Sequence, residues 1–293
     1  MSHKAGFINI VGRANAGKST LMNRLVGERL SIITAKAQTT RHRILGIVNT
    51  EDTQMIFSDT PGILDPKYGL QVSMMHFVKQ AFSDADILVL LVDASDKQLE
   101  LYGFDQIIQK TETPVLVVLN KIDLIDQEDL TRQSEFLNAL FAKGSVFPIS
   151  ALHNFGVEDL LSTIREMLPE SPPYYEKDAL TDKPVRFFVS EIIRERILEN
   201  YQKEIPYSVQ VEIESFVEEP TITRISAIIY VARKSQKGIL IGHKGEKLKK
   251  VGTESRKLIE SFIDQKVFLE MHVKVDEDWR NNERRLKAFG YKQ

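Results

Sequence analysis

The chain reads Gly12-Arg13-Ala14-Asn15-Ala16-Gly17-Lys18-Ser19 near its N-terminus, and this stretch decides the fold of the first half. It follows a short apolar run, residues 6–11, and leads into a segment with helical periodicity. A G-x-x-x-x-G-K-[ST] sequence between a strand and a helix is typical of a loop whose backbone N–H groups wrap phosphate oxygens. Lys18 would then reach the β- and γ-phosphates, and Ser19 would ligate Mg²⁺. We therefore predict a nucleotide-phosphate site that runs from this loop to Thr20.

Strand-like and helix-like segments alternate around this loop over the first half of the chain. Runs of β-branched residues and leucine predict strands at residues 44–48, 54–58, 87–92, 115–119 and 145–149. Helical periodicity predicts helices at residues 99–109, 130–142 and 157–167. Alternation of this kind predicts an α/β fold, with helices packed on both faces of a mostly parallel sheet.

Length and composition indicate the number of domains and exclude some classes of protein. The chain has 293 residues, which is long for one domain, so we expect two. Its net charge is −2, and it has no cysteine, which excludes disulfides and cysteine-ligated metals. No apolar run approaches the roughly 20 residues that a membrane-spanning helix needs. We expect a monomer of the cytoplasm, with peripheral contact to the inner face of the cell membrane left open.

Three further motifs follow at the ends of predicted strands. Asp59-Thr60-Pro61-Gly62 offers a carboxylate for the Mg²⁺ shell and a glycine N–H for the γ-phosphate. Asn120-Lys121-Ile122-Asp123 ends in a carboxylate that would accept from N1–H and the 2-amino group of guanine, a donor pair that adenine lacks. Ser150-Ala151-Leu152 closes the last strand, and the Ala151 N–H would face guanine O6. We therefore predict GTP or GDP, with Mg²⁺, as the ligand.

These four elements, in this order and at successive strand ends, resemble the translation-factor-related GTPases. The resemblance implies a Ras-like P-loop fold, with a six-stranded, mostly parallel sheet and one antiparallel strand. It also identifies residues 30–43 and 59–72 as two switch segments. Thr40 is then the expected Mg²⁺ ligand of the first switch, beside Ser19 and Asp59, although the sequence leaves Thr39 open as the alternative. The expected catalytic groups are Lys18, Asn15, Thr40 and Gly62.

Position 63 departs from the Ras pattern. Ras-like enzymes have a glutamine after D-x-x-G that orients the attacking water, whereas this chain has Ile63. Because an isoleucine side chain cannot hold a water, hydrolysis must be organised by other groups. The chain is similar here to a subgroup of GTPases in which the asparagine at the position of Asn15 can bind K⁺. The alternative role for Asn15 is a hydrogen bond to the switch backbone.

The pattern breaks after residue 168. Three of the five residues from Pro169 to Pro173 are prolines, which cannot continue a helix and favour an extended segment. We predict a first domain over residues 1–168, a linker over 169–184 and a second domain over 185–293.

The second domain has a different order of elements, typical of a smaller α+β module. We predict a helix, two antiparallel strands, a glycine loop that opens a helix, a third strand and a closing helix, at residues 187–201, 209–217, 223–232, 246–262, 266–275 and 279–289. Within the last segment, we expect Trp279 to pack in the core rather than to stack on a base.

The glycine loop reads Gly242-His243-Lys244-Gly245, and it resembles the G-x-x-G loop of a type II KH domain, along which a nucleic-acid backbone passes closely. Residues 233–260 hold nine Lys and Arg against three Glu, which favours a polyanionic partner. The residues that the resemblance assigns to RNA binding are Ile239, Ile241, Gly242, His243, Lys244, Gly245, Lys247 and Lys250.

A Ras-like GTPase domain with Ile63, a proline-rich linker and a C-terminal KH domain together resemble the Era family over essentially the whole chain. The resemblance implies a GTP-hydrolysing switch that binds the 3′ end of 16S ribosomal RNA and acts in assembly of the small (30S) ribosomal subunit. Composition and spacing do not indicate that particular RNA. Three alternatives stay open: an RNA-binding module with a structural nucleotide site, a P-loop kinase or ATPase, and a membrane-recruited regulatory GTPase.

Overall fold

The computed structural model describes residues 3–34, 36, 38–96, 102–141 and 145–292. Contacts divide the chain into two compact units. The first contains residues 1–67 and 71–182, and the second contains residues 68–70 and 183–293. The segment that we predicted as a linker, 169–184, is therefore grouped mostly with the first unit. The domain limits given above stay a prediction.

The first unit is built on a six-stranded sheet. Its strands are β1 (Lys4–Gly12), β2 (Ile44–Asn49), β3 (Thr53–Asp59), β4 (Ile87–Asp93), β5 (Val115–Asn120) and β6 (Ser145–Ile149). Their order is β2-β3-β1-β4-β5-β6, and all neighbours are parallel except β2 and β3. The predicted Ras-like sheet, with one antiparallel strand, is confirmed. Its central strands are buried, as runs of Val, Leu and Ile require.

Among the described residues, five α-helices follow or connect these strands. They are α1 (Lys18–Val26), α2 (Gly69–Ser83), α3 (Phe104–Lys110), α4 (Gln127–Leu140) and α5 (Val157–Met167). We did not predict α2. The helix predicted from residue 99 begins at Phe104, because Tyr102 and Gly103 have positive φ angles of 49° and 85° and form a turn. The part of that prediction at residues 99–101 lies outside the described residues.

Residues 169–182 form a strap across the sheet, bonded at its start to β1 and at its end to β2, the strand at one edge. The Ile47 N–H, which an edge strand would leave unpaired, donates to the carbonyl of Leu180 at 2.8 Å. The Leu45 N–H donates to Asp182 Oδ1 at 3.1 Å. The prediction that this segment is not helical is confirmed, and hydrogen bonds join the strap to the sheet although most of its residues stay exposed to solvent.

Gln54 on β3 is the polar residue that holds the strap. It is fully buried, and its Nε2 donates to the carbonyl of Tyr175 at 2.8 Å and to Asn49 Oδ1 at 2.8 Å. Its Oε1 accepts from the N–H groups of Tyr174 at 2.7 Å and Tyr175 at 3.0 Å. One side chain therefore bonds three partly buried backbone groups of the strap.

Gln54→Ala is expected to lower the free energy of unfolding by about 3 kcal/mol, because buried N–H and C=O groups lose their partners. Urea unfolding measures this change, and amide hydrogen exchange at Tyr174 and Tyr175 should accelerate. Gln106→Ala, on the exposed surface of α3, is the matched control and should change stability by no more than about 0.5 kcal/mol. Equal effects of the two substitutions would contradict the role of Gln54.

The second unit has a three-stranded sheet covered by helices. Its elements are α6 (Val185–Asn200), α7 (Ile205–Ser208), β7 (Val209–Glu218), β8 (Thr223–Val231), α8 (Lys234–Ile241), α9 (Glu246–Ile263), β9 (Val267–Val275) and α10 (Glu283–Ala288). β8 lies in the middle, antiparallel to β7 and parallel to β9. The predicted α+β module and its antiparallel pair are confirmed.

Two predictions for the second unit were wrong in detail. The glycine loop does not follow β8 directly, because α8 lies between them. The closing helix starts at Glu283 rather than at residue 279, because the side chain of Asn282 caps it by accepting from the Arg285 N–H. Trp279 precedes that helix and is fully buried, as expected, with its indole N–H donating to the carbonyl of Ser208 at 3.2 Å. Among the described residues, no helix is long and apolar enough to cross a membrane.

Candidate functional site

The loop between β1 and α1 wraps around the ammonium group of Lys18. The Nζ atom donates to the carbonyls of Gly12 at 3.1 Å and Arg13 at 2.7 Å. Positive φ angles at Gly12, Asn15 and Gly17 bend the backbone into this shape. Lys18 is thus aimed into the space that the loop encloses, as the phosphate-loop motif predicts.

Burial changes the acid–base behaviour of Lys18. Desolvation lowers its pKa from 10.5 to about 8, against the opposing attraction of Asp59. A phosphate group beside the ammonium favours the charged form and so raises this pKa. Nucleotide binding above about pH 8 therefore requires uptake of a proton.

GDP affinity is expected to fall as the pH rises from 8 to 9, by up to about tenfold, because the free protein loses the charge on Lys18 in this range. Titration calorimetry at pH 7, 8 and 9 in buffers of different ionisation enthalpy measures both affinity and proton uptake. Lys18→Met is the control and should abolish the uptake. An affinity that is independent of pH would contradict the assignment.

Three oxygen-bearing side chains meet beside this loop. Ser19 Oγ donates to Asp59 Oδ2 at 2.7 Å and lies 2.9 Å from Thr40 Oγ1. Thr40 Oγ1 lies 3.2 Å from the same carboxylate oxygen. Thr39 Oγ1 instead donates to the carbonyl of Lys36 at 2.5 Å. The structure thus brings Thr40, and not Thr39, to Ser19 and Asp59.

Asp59 carries an unusual oxygen. Its carboxyl group is fully buried, and Oδ1 has no hydrogen-bond partner among the described residues. Burial raises its pKa, against the opposing effects of Lys18 and of the Ser19, Ser31 and Thr40 hydroxyls. A buried carboxylate oxygen without a partner is costly unless a cation or a donor satisfies it.

The three side chains fit Mg²⁺, which prefers oxygen ligands such as carboxylates and hydroxyls. Ser19, Thr40 and Asp59 are the residues that would hold it. When bound, the ion neutralises charge that develops on the phosphate oxygens.

Gly62 and Ile63 pack directly on the phosphate loop. A Cβ atom added to Gly62 would lie 2.6 Å from the backbone N and Cα of Ala14, so only glycine permits this approach. The Ile63 N–H donates to the carbonyl of Gly12 at 2.9 Å, and its side chain is buried. Ile63 is therefore a packing residue, as its apolar character requires. Contact between the Gly62 N–H and a γ-phosphate stays a prediction.

The guanine-selecting motif is joined to the phosphate loop through Asn120. Its Nδ2 donates to the carbonyl of Ala16 at 2.8 Å, and its Oδ1 accepts from the Ala151 N–H at 2.9 Å. Ala151 thus binds Asn120 in this structure, and its contact with guanine O6 stays a prediction. Asp123 lies in the 3-10 turn that follows β5, with one carboxylate oxygen 3.8 Å from His153 Nε2.

A cleft of about 510 Å³ runs from the phosphate loop to Lys121 and Leu152. This size suits a nucleotide. Its other wall comes from the first switch, through residues that we did not name individually: Ile32, Ile33, Thr34 and Gln38. Their position between two nucleotide motifs is the sequence signal that marks them, although it does not show which side chains face the cleft.

The second unit has a smaller groove of about 370 Å³ beside its glycine loop, between α9 and β9. Of the predicted RNA-binding residues, Gly245 lines it. Lys249, a lysine of the basic segment for which we also expect a phosphate contact, lines it as well. We did not predict the other lining residues: Leu248, Gly252, Thr253, Arg256, Leu269 and Met271. Leu248, Gly252 and Arg256 recur at helical spacing on one face of α9, and this spacing is the sequence signal that marks them.

The remaining predicted RNA residues lie around the loop and not in the groove. Ile239 is exposed at the surface of α8. Ile241 is partly buried and packs against the apolar core of the second unit, and its contact with a base stays a prediction. Lys250 lies 3.7 Å from Glu254 in an exposed ion pair. Direct contact of His243, Lys244 and Lys247 with RNA stays a prediction.

Family models match both units. Residues 7–121 match a model described as a 50S ribosome-binding GTPase, and residues 204–280 match a model of the KH domain. The fold and the sites thus define a P-loop GTPase with a C-terminal KH domain.

Proteins similar over the full length of the chain identify its family more narrowly than the two domain models do. The chain is 44% identical over 290 residues to GTPase Era of Geotalea uraniireducens, covering 98% of both chains. It also resembles the crystal structure of Era in complex with MgGDPNP and nucleotides 1506–1542 of 16S ribosomal RNA, with a TM-score of 0.95, 36% identity and coverage of 99% and 100%. An Era variant of Aquifex aeolicus bound to GDP.AlF4- gives a TM-score of 0.94 at 36% identity, with the same coverage. The chain therefore belongs to the Era family of GTPases.

Proposed function

We propose that this protein is a GTP-driven switch that binds the 3′ end of 16S ribosomal RNA and acts in assembly of the small ribosomal subunit. In its GTP form, the phosphate loop and Mg²⁺ hold the switch segments, and hydrolysis releases them. The KH groove binds unstacked bases of the RNA.

One observation carries this proposal. A single chain holds a GTPase site with oxygen ligands suited to Mg²⁺ and a KH groove. Over its full length it resembles an Era structure that contains both MgGDPNP and a 16S RNA fragment. The basic segment at residues 233–260 supplies charge for the phosphate backbone. Arg256, on the wall of the groove, would offer a cation to the bases or the backbone.

The test compares RNA binding and GTP hydrolysis in one assay series. Fluorescence anisotropy measures affinity for an RNA of the 16S 3′ end and for a scrambled RNA of equal length, and phosphate release measures turnover with each. We expect tighter binding to the 16S sequence and faster hydrolysis when it is bound. Equal affinity for both RNAs would overturn the ribosomal assignment and leave the GTPase assignment intact.

The same preparation separates the alternatives. Tight competition by ATP would favour a P-loop ATPase and contradict the role of Asp123. RNA binding without any turnover would favour a structural nucleotide site. Flotation with anionic liposomes in the absence of RNA would favour membrane recruitment by the basic segment.

Asn15 supports a further part of the proposal, that K⁺ assists hydrolysis. It lies at the exposed turn of the phosphate loop, with a φ angle of 64°, and it lines the nucleotide cleft. We expect faster hydrolysis in KCl than in NaCl of the same ionic strength. Asn15→Ala should remove this difference, and equal rates of the original protein in both salts would exclude a K⁺ site.

A further inference from the structure

The end of β4 and the loop that follows it, residues 93–96, contact two nucleotide-binding motifs without belonging to either. Asp93 Oδ2 accepts from Lys121 Nζ at 2.5 Å, and both side chains are less than a third exposed. Asp96 Oδ2 accepts from Arg13 in the phosphate loop at 2.6 Å. The loop therefore lies between the phosphate and guanine motifs and is bonded to both.

Asp93 is itself held in one orientation. Its Oδ1 accepts from the N–H of Ser95 at 2.9 Å and from the Ser95 hydroxyl at 2.6 Å. The Ala94 N–H donates to the carbonyl of Asn120 at 2.8 Å, and the carbonyl of Ala94 accepts from Gln133 of α4 at 2.9 Å. These bonds leave Oδ2 directed at Lys121.

Lys121 needs such a partner because of its place in the cleft. It follows β5 with a φ angle of 66°, and its side chain lines the nucleotide cleft. A lysine side chain has four rotatable bonds and loses considerable conformational entropy when it is fixed. Pairing its ammonium with Asp93 fixes the side chain before the nucleotide binds. The entropy cost of ordering Lys121 then no longer reduces the affinity for the nucleotide.

We propose that Asp93 is a positioning residue for the guanine nucleotide: it holds Lys121 as a rigid wall of the cleft and thereby sets how long the nucleotide stays bound. Asp93 does not touch the phosphate groups in this scheme. It slows dissociation of the nucleotide and does not change the rate of the hydrolysis step.

Asp93→Asn tests the proposal because the amide keeps the oxygen that accepts from Ser95 and removes the charge that binds Lys121. We expect the dissociation rate of a fluorescent GDP, chased with excess GDP, to rise by about five- to tenfold. The value of kcat at saturating GTP should stay within about twofold of the original. Asp129→Asn, which removes an exposed carboxylate paired with Arg132 on α4, is the matched control and should change neither rate.

A double-mutant cycle distinguishes positioning from a general loss of structure. Lys121→Met keeps most of the stem and removes the ammonium, so that Asp93→Asn should have no further effect on dissociation in that background. An Asp93→Asn variant that releases GDP at the original rate would overturn the proposal. The same would follow if the two substitutions accelerated release independently, or if Asp93→Asn lowered kcat and the melting temperature together.

Discussion

Lys18→Met is expected to lower kcat for GTP hydrolysis by about 10²- to 10³-fold, the largest effect that we predict for a single side chain. Its Nζ is the cation that the phosphate loop encloses, and the carbonyls of Gly12 and Arg13 hold it there. Charge that develops on the transferred phosphoryl group is stabilised by such a preorganised cation. Methionine fills the buried space but supplies no charge.

Phosphate release at saturating GTP, with Mg²⁺ and K⁺ present, measures this loss. Lys110→Met, at an exposed position in the last turn of α3, controls for the removal of a lysine and should leave kcat unchanged. The fold should survive the Lys18 change, because it removes a buried ammonium whose desolvation is costly. Retention of kcat within tenfold in a variant with an unchanged melting curve would contradict the role assigned to Lys18.

Gly242→Val is expected to weaken binding of the 16S 3′-end RNA by about 10- to 100-fold. Gly242 ends α8 with φ 74° and ψ −179°, a backbone region that is essentially restricted to glycine. A Cβ atom added there would lie 2.8 Å from Lys247 Cγ and 2.9 Å from Lys247 Cβ. The substitution therefore changes the shape of the loop at the point where an RNA backbone would pass.

Gly238→Ala provides the matched control, four residues earlier. It lies within α8, and a Cβ atom added there meets no other atom within 4 Å. Alanine is the better helix former, so RNA affinity should change by less than about twofold. Basal GTP hydrolysis should be the same in both variants, and undiminished RNA binding by Gly242→Val would remove the glycine loop from the RNA site.

Local motifs could be assigned from the sequence because each has its own chemistry and spacing. The phosphate loop, the Asp59 and Asp123 motifs and the order of strands all appear in the structure where the sequence predicts them. We did not assign the helix α2, whose first residues, 69–72, fall within the segment that we predicted as the second switch. We did not assign the helix α8 because Gly238 and the four basic or polar residues before it obscure its short apolar face.

The strap shows a different kind of limit. The prolines of residues 169–173 exclude a helix, and the structure has none there. The sequence does not show what this segment contacts, because Gln54 lies about 120 residues away. A single glutamine also belongs to no motif that would mark it as a contact. A buried glutamine with several backbone partners is visible only once the chain is folded.

The sequence by itself determined the class of this protein: a guanine-nucleotide site built on a Ras-like sheet, followed by a KH module. These features are encoded locally, in short motifs and in the period of apolar residues. Only the tertiary structure brought Thr40, and not Thr39, to Ser19 and Asp59, left Asp59 Oδ1 without a hydrogen-bond partner among the described residues, and brought Asp93 to Lys121. The reason is that such choices depend on distances between loops far apart in the chain, which sequence spacing does not contain.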